Sequence, residues 1–413
     1  MRHLILGAGP AGVTAAETLR RADRDTTITL LEGEGEVPYA RMALPYLLAG
    51  RIDETGLRLR TDADHFRRLG IDLRHGRAIK VDAAARTVTL ADGATLPYDR
   101  LLVATGSRPT LQRIPGIDLP GVHTCWTLAD ARALLARARP GTRVVQMGAG
   151  FVGCIIIQGL VHLGVDLTVL VRSGRMVSRM MDPPSSALIR RWCQAQGVTV
   201  RVDTLPERIT QGDGHLDVHL PGGERLPADL YLCLVGVKPN VELLAGTGVR
   251  IEGGIQVDDT MATGVDGIYA AGDVAEHVDV VTGARLVNAI QPNAVDQGRI
   301  AALNMAGRSA ASRGTFPFNI LDTLGLKSSS FGAWQGVEGG EAVEVTDPAR
   351  YRYLKLQFKD DRLVGANAVG LTEHIGALRG LIEGKVPLGP WKARLQANPS
   401  LLMEAWLACK LKA

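Results

Sequence analysis

The feature that most constrains this chain is a glycine turn of fixed spacing that occurs twice, each time between an apolar run and a helical stretch. The first copy follows His3-Leu4-Ile5-Leu6, reads Gly7-Ala8-Gly9-Pro10-Ala11-Gly12, and continues from Val13 to Leu19 with helical periodicity. The second follows Arg143-Val144-Val145-Gln146-Met147, reads Gly148-Ala149-Gly150-Phe151-Val152-Gly153, and leads into a helix over 154–163. In such a turn the first glycine permits the sharp bend, the second lets a pyrophosphate approach the backbone, and the third lets helix lie on strand. The helix N-terminus then faces the phosphate charge. A chain with two such units is expected to be α/β, with two Rossmann-like dinucleotide-binding domains.

The end of the next strand distinguishes the two sites. After the first turn, Ile28-Thr29-Leu30-Leu31 reads as a strand ending at Glu32, twenty residues beyond Gly12. A carboxylate at that place can accept hydrogen bonds from ribose hydroxyls. After the second, the strand Leu167 to Val171 runs into Arg172-Ser173-Gly174-Arg175, with no acid. A carboxylate favours the free 2′-hydroxyl of NAD, whereas arginine pairs with the 2′-phosphate of NADP. NADPH is therefore the favoured nucleotide and NADH the other; the plainer account of Arg172 and Arg175 is a pair of solvated loop charges. Two nucleotides in one chain suit hydride transfer between a nicotinamide and a flavin.

Composition narrows the partners. A length of 413 residues suggests two or three domains. Apolar residues at 46% and charged residues at 22% exclude a disordered or fibrous chain. The net charge of +4 comes without a Lys/Arg run, so no nucleic acid is expected. Cys125, Cys154, Cys193, Cys233 and Cys409 are far apart, which predicts neither disulfides nor a metal site. They read as small buried hydrophobes in a reducing, cytoplasmic setting. His215 and His219 share a strand face but have no third ligand nearby, so a solvent-facing hairpin is expected. No signal peptide is expected ahead of Leu4-Ile5-Leu6, which runs straight into the glycine turn. The stretch 151–171 is broken by Gln158, Gly159, His162, Gly164 and Asp166, so no membrane span is expected.

With both turns placed, the chain resembles the two-dinucleotide flavoproteins: pyridine nucleotide-disulfide oxidoreductases, NADH oxidases, coenzyme A-disulfide reductases, and rubredoxin and ferredoxin reductases. Leu101 to Pro109 (LLVATGSRP) is similar to their crossover out of the flavin domain, and Gly236 to Asn240 (GVKPN) to their return. Ile268 to Asp273 (IYAAGD) resembles their second flavin signature, and Pro292 to Gly298 the helix that closes over the ring. The resemblance implies FAD held by a discontinuous domain, 1–109 and 241–314, and a nicotinamide nucleotide held by 110–240. The remaining 315–413 is implied to be an α+β interface domain forming a homodimer. Within it, Tyr351 to Phe358 alternates as a half-buried strand, Asp360-Asp361 turns, and Leu363 to Val369 returns. The implied FAD contacts are Gly7, Gly9, Pro10, Ala11, Gly12, Glu32, Arg41, Ala78, Ala104, Thr105, Gly106, Gly272, Asp273 and Ala294. The implied nicotinamide-nucleotide contacts are Gly148, Gly150, Phe151, Val152, Gly153, Arg172, Arg175 and Gly236.

Four departures shape the functional expectation. Relatives that reduce disulfides, persulfides or oxygen carry a redox cysteine where this chain has Met42, in Pro38-Tyr39-Ala40-Arg41-Met42. A thioether cannot become a thiolate or hold a sulfenic acid. The first turn has no histidine of the kind peroxidases place there, and His374 precedes Ile375 rather than the proline of disulfide reductases, so it reads as an ordinary helix residue. The glutamate and lysine that usually meet the nicotinamide are replaced by Ile155 and Tyr46. Phe151 stands either as a gate over the flavin or as plain core. No side-chain nucleophile is expected. The expected activity is NAD(P)H oxidation through FAD, with electrons leaving to a ferredoxin- or rubredoxin-like iron–sulfur protein. The alternatives are a small acceptor such as oxygen, a quinone or a nitrogen oxide, or a flavin-binding partner protein that has lost nicotinamide reactivity.

Overall fold

An apolar strand in a parallel sheet is buried on both faces because the helices that connect such strands pack on the faces of the sheet. In the computed structural model, which describes residues 1–410, both glycine turns are built this way. The chain forms two units. One comprises Met1–Ala43, Asp53–Arg108 and Val237–Phe316; the other comprises Leu44–Ile52, Pro109–Gly236 and the chain from Pro317 onward. The segments expected to hold the nicotinamide nucleotide and to form the C-terminal domain therefore share one unit.

In the first unit, β1 (Arg2–Leu6), α1 (Pro10–Ala22) and β2 (Thr27–Glu32) make a crossover of strand, helix and parallel strand. His3 lies opposite Ile28, and Leu6 opposite Leu31. The five-strand parallel order is Ile268–Ala270, Arg100–Val103, β1, β2, Ile71–His75. α1 starts at Pro10, ahead of the apolar periodicity, because proline at the first helical position gives up an N–H that has no helical partner anyway. Leu4, Ile5, Leu6, Val13, Leu19, Leu30 and Leu102 form the centre of the core. The helix Gln291–Met305 lies so close to α1 that a methyl group on Gly298 would overlap the Ala11 carbonyl.

A buried carboxylate ties an excursion of this unit to α1. Glu17 accepts from Arg60 Nε at 2.6 Å and Nη2 at 2.8 Å, and lies 2.8 Å from His65 Nε2. Burial alone would raise the Glu17 carboxyl, but the hydrogen bonds from Arg60 and His65 outweigh it and hold the pKa below its ordinary value of 4.5.

In the second unit, β3 (Arg143–Met147), α2 (Phe151–His162) and β4 (Asp166–Leu170) repeat the crossover. The parallel order is Thr199–Arg201, β4, β3, Leu230–Cys233, Val122–His123. α2 begins inside the glycine turn rather than at Cys154, and Val171 falls just beyond its strand. The helix α3 (Pro183–Ala195) is capped by Asp182, which accepts from the Ser185 N–H at 3.1 Å. A short helix, Leu44–Leu48, rests on α2 where Gly159 leaves room for Leu48.

The hairpin strands Arg208–Gln211 and Leu216–His219 carry the two histidines. Contrary to the solvent-facing expectation, His219 is buried, with its ring 2.7 Å from the Thr210 hydroxyl, while His215 lies 3.3 Å from Asp217. Among the described residues no three His, Cys, Asp or Glu side chains converge as metal ligands.

The C-terminal part is an antiparallel sheet in the order Glu341–Asp347, β5 (Arg352–Lys359), β6 (Arg362–Val369), Leu326–Gly332, Phe318–Thr323. The alternation along 351–358 and the turn at Asp360-Asp361 become this β5–β6 hairpin, with Leu354 opposite Ala368. Leu354, Leu356, Ala366 and Ala368 are buried on one face of it, and the helix Ile375–Glu383 packs against β6 and Leu326–Gly332. His374 stands one residue before that helix, at its N-cap, rather than within it. Among the described residues no helix is long and apolar enough to cross a membrane.

Replacing Glu17 with Gln should cost about 2 kcal/mol at pH 7, because it leaves the Arg60 guanidinium without a charged partner. A folded-state pKa below the unfolded one means that this stability is present above pH 4.5 and lost as pH falls through the folded value. Urea unfolding of wild type and Glu17→Gln should therefore show a gap that closes in acid. An equal gap at acidic and neutral pH would assign the loss to packing.

Candidate functional site

The first glycine turn is set by two contacts that only glycine allows. Gly7 has φ +109°, and a Cβ there would overlap the Ala104 carbonyl; one on Gly12 would overlap the Gly7 carbonyl. The Gly7 N–H is held by Leu31 at 2.9 Å, and the Ala104 N–H by Leu6 at 2.9 Å. Gly9 differs: nothing lies within 4 Å of the place a Cβ would take. It is the N-cap of α1 and brings no capping side chain. The result is an open, backbone-lined surface at the positive end of a helix, the environment a pyrophosphate fits.

Around this opening the crossover and its return are fastened together by Asn240. Its Nδ2 donates to the Thr105 carbonyl at 2.9 Å, its N–H donates to Gly106 at 2.9 Å, and its carbonyl accepts from Thr105 Oγ1 at 2.8 Å. Arg108 completes the clasp through the Asn240 Oδ1 at 2.7 Å and an ion pair with Glu242. Gly272 has φ +83°, donates its N–H to Gln297 Oε1 at 2.8 Å, and sits beside Ala11 and Ala294. The next residue, Asp273, accepts from Ser107 Oγ at 3.2 Å. Burial pushes its carboxyl above the ordinary aspartate value, with the Ser107 hydrogen bond and the Arg41 charge pulling the other way.

Glu32 closes β2 as expected, but its oxygens are already engaged. They accept from the N–H groups of Glu34, Gly35 and Glu36 at 2.6, 2.7 and 3.1 Å, and lie 3.0 Å from His75 Nδ1. The carboxylate thus shapes the loop beyond β2 as well as facing it. Arg41 pairs with Glu34, which also accepts from the Tyr39 hydroxyl at 2.6 Å. Ala78 is half-buried at the start of the strand Ala78–Asp82. Met42 is 60% exposed.

The second turn has the same build. Gly148 has φ +107° and would meet the Leu234 carbonyl, Gly153 would meet the Gly148 carbonyl, and Gly150 is open. Under it, the fully buried Gln146 donates from Nε2 to the Gly148 and Gly153 carbonyls at 2.9 and 3.1 Å. Phe151, Val152 and Ile155 are half-buried on the first turns of α2. Gly236 has φ +119° and an open Cβ direction. Past β4, Arg172 is exposed and Arg175 half-buried, with Arg175 Nη2 3.4 Å from the Ser178 carbonyl. An acid does stand beside this loop: the Asp203 carboxylate lies 3.5 Å from where a Cβ on Gly174 would be.

All the expected FAD contacts lie in the first unit and all the expected nicotinamide-nucleotide contacts in the second. Gln146 and Asp203 join them from the structure alone, while Asn240 and Gln297, which lie within the GVKPN and Pro292–Gly298 segments, gain their contacts from it; Asp203 has a left-handed backbone, φ +51°. Four of the cysteines are buried. Burial pushes the thiols of Cys125 and Cys193 up to about 12 and those of Cys154 and Cys233 above their ordinary value, so all four stay protonated.

The openness of Gly9 gives a clean test. The Cβ of Gly9→Val meets no protein atom within 4 Å and the φ of −76° suits valine, so the unfolding midpoint of the apoprotein should be little changed. FAD affinity measured by fluorescence should fall at least about tenfold, the effect of losing 1.4 kcal/mol. Full FAD content in purified Gly9→Val would remove this surface from the cofactor site.

The comparisons with known proteins agree with this geometry. Residues 1–298 match the pyridine nucleotide-disulphide oxidoreductase family, and residues 317–386 match the rubredoxin NAD+ reductase C-terminal domain. The chain is 33% identical over 402 residues to the NADH-dependent phenylglyoxylate dehydrogenase subunit epsilon of Aromatoleum evansii, across 96% of this chain and 95% of that one. It is 34% identical over 407 residues to the anthranilate 1,2-dioxygenase system ferredoxin–NAD(+) reductase component of Burkholderia cepacia, across 98% of each. Among solved structures, the covalent putidaredoxin reductase–putidaredoxin complex is similar at a TM-score of 0.91 and 25% identity, across 99% of each chain. The NAD-dependent persulfide reductase of A. fulgidus is similar at a TM-score of 0.87 and 29% identity, across 94% of this chain and 78% of that one. Two uncapped glycine turns of one build, an Asp273 signature and a family match across 1–298 make this chain a member of the pyridine nucleotide-disulphide oxidoreductase family, an FAD-dependent NAD(P)H oxidoreductase.

Proposed function

We propose that this chain oxidises NADPH through FAD and hands the electrons to a small iron–sulfur protein of the ferredoxin or rubredoxin kind, with no protein thiol in the path. The observation that carries this reading is Met42, exposed at the place where thiol-using relatives have a cysteine, together with four buried, protonated cysteines elsewhere. Bound FAD supplies a carrier that accepts a hydride and releases its electrons one at a time. The protein's part is to bind and orient. The α1 N-terminus and Gly9 face the FAD pyrophosphate, Asp273 and Ala294 face the rest of that cofactor, and the α2 N-terminus and Gly150 face the second nucleotide.

The residue sets support FAD binding by 1–109 and 241–314 and nicotinamide-nucleotide binding by 110–240. The acceptor is supported by the B. cepacia relative, a ferredoxin–NAD(+) reductase component, and by the putidaredoxin reductase complex. The A. evansii relative, a dehydrogenase subunit, favours a second reading in which the acceptor belongs to a larger enzyme. Exposed Arg172, two residues beyond the end of β4 with Val171 rather than an acid between them, supports NADPH over NADH, a departure from relatives that carry NAD in their names. The four buried, reduced thiols of Cys125, Cys154, Cys193 and Cys233 support a cytoplasmic setting. Met403 and Leu407, exposed four residues apart on the helix Leu402–Lys410, support a homodimer contact in the 315–413 domain.

Anaerobic stopped-flow mixing separates the acceptors. NADPH should bleach the flavin faster than NADH, and the reduced enzyme should be reoxidised faster by ferredoxin or rubredoxin than by air. Arg172→Ala should lower kcat/KM for NADPH about tenfold, as for a lost charge-assisted contact, and leave NADH within about twofold. Fast reoxidation by air alone would identify an oxidase, and an equal or higher rate with NADH would remove Arg172 from the site.

A further inference from the structure

The loop that leaves β4 at Val171 carries Arg172 and Arg175 outward and must return before α3 begins. It returns at Val177, whose N–H donates to the Ala149 carbonyl of the second glycine turn at 2.7 Å. Val177 does so with φ +45° while only 1% exposed. A β-branched residue in the left-handed region is strained, and such a conformation persists only where its surroundings impose it.

The surroundings come from the C-terminal sheet. Asn367 on β6 is fully buried; its Nδ2 donates to the Met180 carbonyl at 3.1 Å and its Oδ1 accepts from the Asp182 N–H at 3.3 Å. Tyr353 on β5, also fully buried, has its hydroxyl between two carboxylates, 2.6 Å from Asp182 Oδ2 and 3.0 Å from Glu344 Oε2, and the shorter contact is the one to Asp182. The other oxygen of Asp182 caps α3. Met176 and Met181 are fully buried on either side of Val177. The rear of the loop is therefore anchored through Met180 and Asp182, with Met176, Val177 and Met181 buried, while Arg172 at its front is exposed.

A buried asparagine is costly unless both ends of its amide are bonded, and an apolar side chain would fill the same space. What the amide adds is direction. It fixes the backbone at 180 and 182 against β6, and through that the position at which Val177 can reach Ala149.

Resting on the nucleotide site described above, we propose that Asn367 and Tyr353 are positioning residues for the nicotinamide nucleotide. They hold the rear of the 172–182 loop so that its arginine-bearing front stands where the adenosine end of the nucleotide binds. Neither residue touches the nucleotide. The C-terminal sheet thus sets coenzyme affinity, and the preference for a 2′-phosphate, from behind.

Calorimetric titration of the FAD-loaded full chain with NADP+ and with NAD+ tests this, using Asn367→Ala and Tyr353→Phe. Tyr353→Phe should raise the NADP+ Kd about fivefold and Asn367→Ala about tenfold, the scale of one and two lost hydrogen bonds, with a smaller rise for NAD+. FAD content and the flavin reduction rate at saturating NADPH should not change. If both Kd values stay within about twofold while only the unfolding midpoint falls, the residues are merely structural and the proposal fails. If Asn367→Ala does not fold, Tyr353→Phe decides alone. A wild type that does not distinguish NADP+ from NAD+ defeats the Arg172 assignment, and the clamp is then judged on NAD+ by the same thresholds. A wild type that binds neither nucleotide overturns both.

Discussion

Everything in this structure that bears on function depends on the approach of a helix N-terminus to a strand end with no side chain between them. In each glycine turn, one glycine carbonyl occupies the space a methyl group would need on the glycine five residues later, and another backbone carbonyl closes in on the first glycine. These contacts fix the helix against the sheet and leave the middle glycine bare. The positive end of the helix is then uncapped and open to an anion. Gln146 beneath the second turn and the Asn240 clasp beside the first hold these openings in shape with hydrogen bonds rather than with bulk.

The crossovers themselves were legible in the sequence because each element announces itself locally: a short apolar run, a glycine spacing, a helical period. Their starts were less so. Apolar periodicity reports which residues are buried, whereas α1 and α2 begin at Pro10 and Phe151, where the backbone first turns helical. The β5–β6 hairpin was equally plain from its alternation and its Asp-Asp turn. Asp203 and Asn367 could not be read, and Asn240 was read as part of its motif but not as a clasp, since each works through a contact with residues distant in the chain. The buried His219 and the short helix packed on Gly159 escaped for the same reason. Glu32 was anticipated by its spacing, but not the three backbone N–H groups that already occupy it.

The two faces of the C-terminal sheet divide its work. One buries the apolar side chains Leu354, Leu356, Ala366 and Ala368, as ordinary packing requires. The other buries Asn367 and Tyr353 and turns their polar atoms on the loop that follows β4. Burying polar groups only to fill space would lose stability, so a face of this kind is explained by the geometry it imposes. The loss of a thiol at Met42 has the converse logic. Without a thiol at position 42 the chain needs no acid–base pair to serve one, and His374 is correspondingly an exposed residue at a helix N-cap position.

The central claim is that FAD is the sole electron carrier in this polypeptide. Anaerobic titration with dithionite, followed by flavin absorbance, counts the electrons taken up per bound FAD. Full bleaching at two electrons, with no lag before or after, is the predicted result. Uptake of four would put a second, sulfur-based carrier in the path and contradict the account.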